Sequence, residues 1–91
     1  MDQPTRNSPA YLKYTLITGG SGGIGRAFAE ECASRGHNLF LIDLPGTGLP
    51  DLSDTLEKNH EIKVSFLEID LRNTESVRDI LRFAVEQEIN V

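Results

Sequence analysis

The sequence predicts an α/β domain built on a parallel sheet, and three observations carry that reading. Stretches with strand and helix periodicity alternate along the chain in the order β-α-β-α-β-α. Residues 38–43, NLFLID, form a continuous apolar run, which suits a strand buried on both faces of a parallel sheet. A glycine cluster, TGGSGGIG at 18–25, stands where the first strand passes directly into the first helix.

Each element has its own warrant. Residues 13–18, KYTLIT, read as a strand that ends at the glycines. Residues 24–35 place Ile24, Ala27, Phe28 and Cys32 at helical spacing, and Gly36 is a natural stop. The NLFLID strand follows. PGTGLP at 45–50 reads as a loop, because two prolines and two glycines oppose regular structure. Leu52 and Leu56 mark a short helix within residues 51–59, DLSDTLEKN. IKVSFLEID at 62–70 is the third strand. Val77, Ile80, Leu81, Ala84 and Val85 then give residues 74–88 a helical apolar face.

Composition bounds what such a chain does. Ninety-one residues make one small domain, and 38% hydrophobic with 25% charged residues is ordinary for a globular chain. Fourteen acidic residues against nine basic ones give a net charge of −5, with no basic cluster, which argues against a nucleic-acid partner. Cys32 has no second cysteine to pair with, as expected in a reducing compartment, and reads as a small apolar residue on a helix face. His37 and His60 lack partners at ligand spacing, so no metal site is expected. The first ten residues, MDQPTRNSPA, are polar and carry two prolines; they read as a loose tail, leaving 11–91 as the domain. No apolar stretch reaches membrane-spanning length. The expectation is a soluble, cytoplasmic protein with no membrane partner.

The glycines have a chemical use. A strand that turns at once into a helix presents free backbone N–H groups at the helix start, where the dipole favours negative charge. Bare backbone lets a diphosphate approach closely, and Ser21 adds a hydroxyl donor. Gly20, Gly22 and Gly25 satisfy GxGxxG after a strand and before a helix, the context in which that pattern means dinucleotide binding. Asp43 ends the second strand at roughly the 20-residue offset of a ribose-binding carboxylate. There it is expected to accept from both ribose hydroxyls and to repel a 2′-phosphate; a plainer role is to cap the strand–loop junction. Asp70 ends the third strand and either meets the adenine amino group or supports the dipole of the last helix.

These residues resemble the short-chain dehydrogenase/reductase family. Thr18 to Gly25 matches its TGxxxGxG cofactor signature, and Asp70-Leu71 matches its acidic-plus-aliphatic step after the third strand. The likeness runs from Lys13 through Val91. It implies the first half of a doubly wound, Rossmann-type NAD(P)-binding domain in an oxidoreductase acting on an alcohol or carbonyl compound. By the same resemblance Gly19, Ser21, Gly22, Gly23, Ile24 and Gly25 line the pyrophosphate, and Asp43 with Leu44 meets the adenosine ribose. Asp70 would contact adenine, with the backbone N–H of Leu71 beside it. Family members that use NADP often carry a cation at the position of Gly22, so the resemblance, with Asp43, points to NAD rather than NADP.

Alternatives stay open at this level. The same stretch fits TGxxGxxG, the pattern of the extended branch with its sugar-nucleotide epimerases and dehydratases, although the unbroken last helix favours the compact branch. A non-catalytic nucleotide-binding Rossmann protein and a methyltransferase-like domain are the other readings; the Thr18-Gly19 start argues against the second. The family's catalytic Ser and Tyr-x-x-x-Lys pair have no match here: Thr15 stands four residues after Tyr11, and Thr18 four after Tyr14. The resemblance therefore implies that these 91 residues contain no catalytic group and turn over no substrate alone. It also implies that a fourth strand begins at Asn90-Val91, beside a first strand whose open edge would favour homo-oligomers.

Overall fold

The computed structural model describes residues 13–91; the expected tail at 1–10 lies outside them. Six elements follow in the expected order: β1 (Tyr14–Thr18), α1 (Gly23–Ser34), β2 (Asn38–Asp43), α2 (Leu49–His60), β3 (Val64–Glu68) and α3 (Ser76–Glu86). The three strands are parallel in the order β1-β2-β3, with Leu16 beside Phe40 and Phe40 beside Ser65.

β2 is the centre of the molecule because both of its faces are apolar. Leu39 and Leu41 point to one side and pack with Ala29, Cys32 and Ala33 of α1 and with Leu49, Leu52 and Leu56 of α2. Phe40 and Ile42 point to the other, with Ile89 and the partly buried Ile80, Phe83 and Ala84 around them. The result is three layers, α1 and α2, then the sheet, then α3. Among the described residues no helix is long and apolar enough to cross a membrane.

Several expectations are corrected. Ile24, Ala27 and Phe28 do not face the core: Ile24 is 88% exposed and Phe28 59%, while Ala29, Cys32 and Ala33 are buried. Small side chains let α1 lie close to the sheet, so the large apolar residues are turned outward. On α3 only part of the apolar face is used, since Val77, Leu81 and Val85 are exposed. PGTGLP is not all loop. Leu49 and Pro50 form the first turn of α2, where proline lacks only an N–H that has no intrahelical acceptor, and Leu49 is fully buried. β3 is shorter at both ends than periodicity suggests, although Ile62 and Ile69 beside it still pack on the core. α3 starts only after the turn closed by the Ser76 N–H on Asn73 O and ends before Glu88, whose φ is +56°.

α1 closes with the Gly36 N–H on Ala33 O at 2.9 Å and the His37 N–H on Cys32 O at 3.1 Å, a Schellman ending that turns the chain into β2. The outer edge of β1 meets Asn90: Lys13 and Asn90 form a parallel bridge, and the Tyr14 N–H donates to Asn90 O at 2.6 Å. The segment after α3 thus arrives alongside β1 in the parallel sense, where the resemblance puts the start of a fourth strand.

Candidate functional site

The carboxyl ends of all three strands open onto one cavity of about 460 Å³, lined by Thr18, Gly19, Asp43, Leu44, Ile69, Asp70, Leu71 and Arg72. Its position follows from the topology. Parallel strands end on the same side, and each loop there must cross from a strand to a helix.

The glycine turn forms the wall on the side of α1. Gly19 has φ +65°, a backbone state that glycine adopts at little cost, and its N–H donates to Ile42 O at 2.8 Å. Gly19 O then accepts the Gly22 N–H at 3.2 Å, and Gly22 O accepts the Arg26 N–H at 2.6 Å to open the helix. Gly22 is the residue before the first turn and no side chain caps it. Helix geometry leaves the N–H groups of Gly23, Ile24 and Gly25 without intrahelical acceptors. No acidic residue occupies that turn, so the positive end of α1 is uncompensated.

The two carboxylates are held differently from the sequence expectation. Asp43 Oδ2 accepts both the backbone N–H of Ser21, at 3.1 Å, and the Ser21 hydroxyl; Asp43 Oδ1 accepts the Leu44 N–H at 2.8 Å. The last of these is the junction-capping bond, so Asp43 has that plainer role as well. With three of about four acceptor positions filled, there is room for one ribose hydroxyl rather than two. The Ser21 hydroxyl holds the Asp43 carboxyl below its ordinary value; burial, the next largest effect, opposes it, and the Leu44 and Ser21 N–H groups add to the lowering. Ser21 itself lines a neighbouring 230 Å³ cavity with Arg26, Thr47, Gly48, Asp51, Leu52 and Thr55.

Asp70 makes no side-chain hydrogen bond to the start of the last helix. Its carboxylate is forked by Arg72, with Nη2 at 2.8 Å from Oδ2 and Nε at 3.0 Å from Oδ1, and it takes the Arg72 N–H at 2.9 Å. The guanidinium, and then that N–H, bring the Asp70 carboxyl down to about 2. The backbone O of Asp70 accepts from the hydroxyl of buried Ser76, which ties the cavity floor to the start of α3. Arg72 is the residue that sequence reasoning passed over, although an acid and an arginine two residues apart in a loop was a visible signal.

A group with its folded value lowered adds stability that is complete above its ordinary 3.8 and is lost as pH falls towards about 2. Arg72→Ala is therefore expected to move the Asp70 midpoint up towards its ordinary value, with the backbone N–H of residue 72 still holding it somewhat low, read by carbon-13 NMR titration. The pair is exposed, so global stability should change little. A midpoint unmoved by the substitution would show that the fork does not persist in solution.

A parallel sheet with its ligand cavity at the carboxyl ends and a bare helix start beside it defines the nucleotide-binding class of α/β proteins. The particular family follows from comparison: the chain belongs to the short-chain dehydrogenases, whose family model (short chain dehydrogenase) matches residues 13–91. It is similar to a very-long-chain 3-oxoacyl-CoA reductase of Candida glabrata, 45% identical over 58 residues, covering 64% of this chain and 16% of the relative. A PIGF/3-ketodihydrosphingosine reductase fusion protein of Schizosaccharomyces pombe is 42% identical over 82 residues, or 84% of this chain and 16% of the relative. Among solved structures, a short-chain dehydrogenase from Sphingobium yanoikuyae in complex with NADPH superposes with a TM-score of 0.73 at 33% identity, covering 86% of this chain and 31% of that one. The bulky-bulky ketone specific alcohol dehydrogenase of Comamonas testosteroni superposes with 0.72 at 29% identity, covering 86% and 33%. The chain thus spans well under half the length of these relatives.

Proposed function

We propose that this chain holds the adenosine half of a nicotinamide dinucleotide in an oxidoreductase acting on an alcohol or carbonyl compound. The observation that carries the reading is the cavity at the strand ends, with Asp43 on one wall and the uncapped start of α1 beside it. The fit is physical. A Cβ at Gly23 would meet nothing within 4 Å, so backbone and open space face whatever sits at the helix start. The pyrophosphate is assigned to the N–H groups of Gly23, Ile24 and Gly25, the ribose to Asp43 and the adenine to the end bounded by Asp70 and Leu71. When bound, the dinucleotide supplies hydride transfer; these residues bind and orient it. The relatives named as reductases and an alcohol dehydrogenase support the activity, and the substrate class is no finer than theirs.

NAD is the proposed cofactor. Asp43 is kept ionised at the ribose, and a 2′-phosphate would meet that charge; Arg72, the cation lining the cavity, is engaged by Asp70. The Sphingobium neighbour holds NADPH, so the assignment rests on this chain's own residues: Asp43, Gly22 where a cation would stand, and Arg72 engaged by Asp70. Asp43→Asn should reduce the preference for NAD over NADP by about 10-fold or more, the size of one charged hydrogen bond. Calorimetric titration of both dinucleotides tests it. Tighter binding of NADP by the unsubstituted chain would overturn the cofactor assignment, and binding of neither would overturn the site. A cytoplasmic protein that self-associates completes the proposal.

A further inference from the structure

We propose that Ser21 is a positioning residue for Asp43, and that its hydroxyl is not a ligand of the pyrophosphate. The inference rests on the nucleotide reading above and deepens it. A serine in a glycine turn beside a helix start would ordinarily be assigned to the phosphates. Here both of its donors are directed to one carboxylate oxygen: its N–H, at 3.1 Å, and its hydroxyl reach Asp43 Oδ2. A hydroxyl has one proton to give. While Asp43 holds it, Ser21 has only lone pairs left, and an ionised phosphate oxygen offers no proton to them.

The bond has mechanical consequences. Ser21 lies between Gly19, which is tied to Ile42 O, and Gly22, which opens α1. Its grip on Asp43 therefore ties the glycine turn to the end of β2 at a second point. The ribose-binding carboxylate and the N–H groups proposed for the pyrophosphate then move as one unit. The same grip fixes which acceptor remains. With Oδ2 occupied twice and Oδ1 once by the Leu44 N–H, the open position is on Oδ1, and it takes a single ribose hydroxyl. Loss of the Ser21 hydroxyl would free the carboxylate to turn, and should also raise its protonation midpoint, since that hydroxyl is the largest cause lowering it.

Two ligands separate the roles. Adenosine carries the ribose and no phosphate; ADP-ribose carries both. Ser21→Ala is expected to weaken both by the same factor, about 10-fold, when affinities are read by NMR titration of the chain. Ser21→Thr, which keeps the hydroxyl, should bind as the unsubstituted chain does. In the ligand-free protein the Asp43 carboxyl midpoint should rise in Ser21→Ala and not in Ser21→Thr. Should alanine unsettle the turn, Ser21→Cys keeps the side-chain size and gives up the strong donor. A loss confined to ADP-ribose would mean that the hydroxyl serves the phosphate, and the proposal is wrong. Unchanged affinity for both ligands overturns it too, while leaving the nucleotide reading intact. If the unsubstituted chain binds neither ligand, the nucleotide reading fails and the proposal falls with it.

Discussion

Gly25→Ala is expected to destabilise the chain by about 3 kcal/mol, because the new methyl group has nowhere to go. A Cβ at Gly25 would lie 2.0 Å from Gly19 O and 2.8 Å from Gly19 C. Both are backbone atoms, so no side chain can rotate away. Relief requires α1 to move off the turn, and that would also break the Gly22 N–H bond to Gly19 O. Gly23→Ala is the control from the same motif. Its Cβ would meet no atom within 4 Å, so stability should hold or rise slightly, while the added methyl group stands in the proposed pyrophosphate path. Urea denaturation reads the first effect and ADP-ribose titration the second. A Gly25→Ala chain within about 0.5 kcal/mol of the original would show that the turn yields more easily than its geometry indicates.

Phe40→Ala is expected to cost about 3–5 kcal/mol, a large share of the roughly 5–15 kcal/mol that holds a small domain folded. Phe40 is 1% exposed, on the central strand, and its ring stacks on Phe83 with centroids 5.5 Å apart. Truncation removes buried area on the face where Ile80, Phe83 and Ala84 of α3 meet the sheet, whereas Val77, Leu81 and Val85 lie on its exposed side. The same change at Val85, 77% exposed, should fall within about 0.5 kcal/mol. Thermal and urea melts of the two variants make the comparison. Similar losses in both would mean that the exposed face of α3 is covered in solution.

What was legible in the chain was whatever depends on neighbours in sequence. The alternation of elements, the doubly buried strand NLFLID and the glycine turn between β1 and α1 are local patterns, and each appears where periodicity and backbone freedom put it. The strand ends follow from this, so Asp43, Leu44, Asp70 and Leu71 come together at one cavity even though they are far apart in sequence. Periodicity names an apolar face but not which part of it is covered. Ile24 and Phe28 have the right spacing, yet Ala29 and Ala33 are the residues against the sheet, because the distance between helix and sheet decides and spacing does not. Likewise five glycines look equivalent in sequence. Only the packed turn separates Gly25, where a side chain would strike backbone, from Gly23, where there is room.

A parallel α/β chain of the short-chain dehydrogenase family can be read from the order of residues, with one acid ending the second strand and another just beyond the third. What those acids touch depends on how the elements pack. Ser21 reaches Asp43 from 22 residues away, and Arg72 turns back onto Asp70 across a loop. A carboxylate's partners depend on distances of about 3 Å between atoms whose separation along the chain has no fixed relation to their separation in space. Pattern and propensity fix the direction of a strand, and the hydrogen bonds at its end are fixed only once the elements have packed.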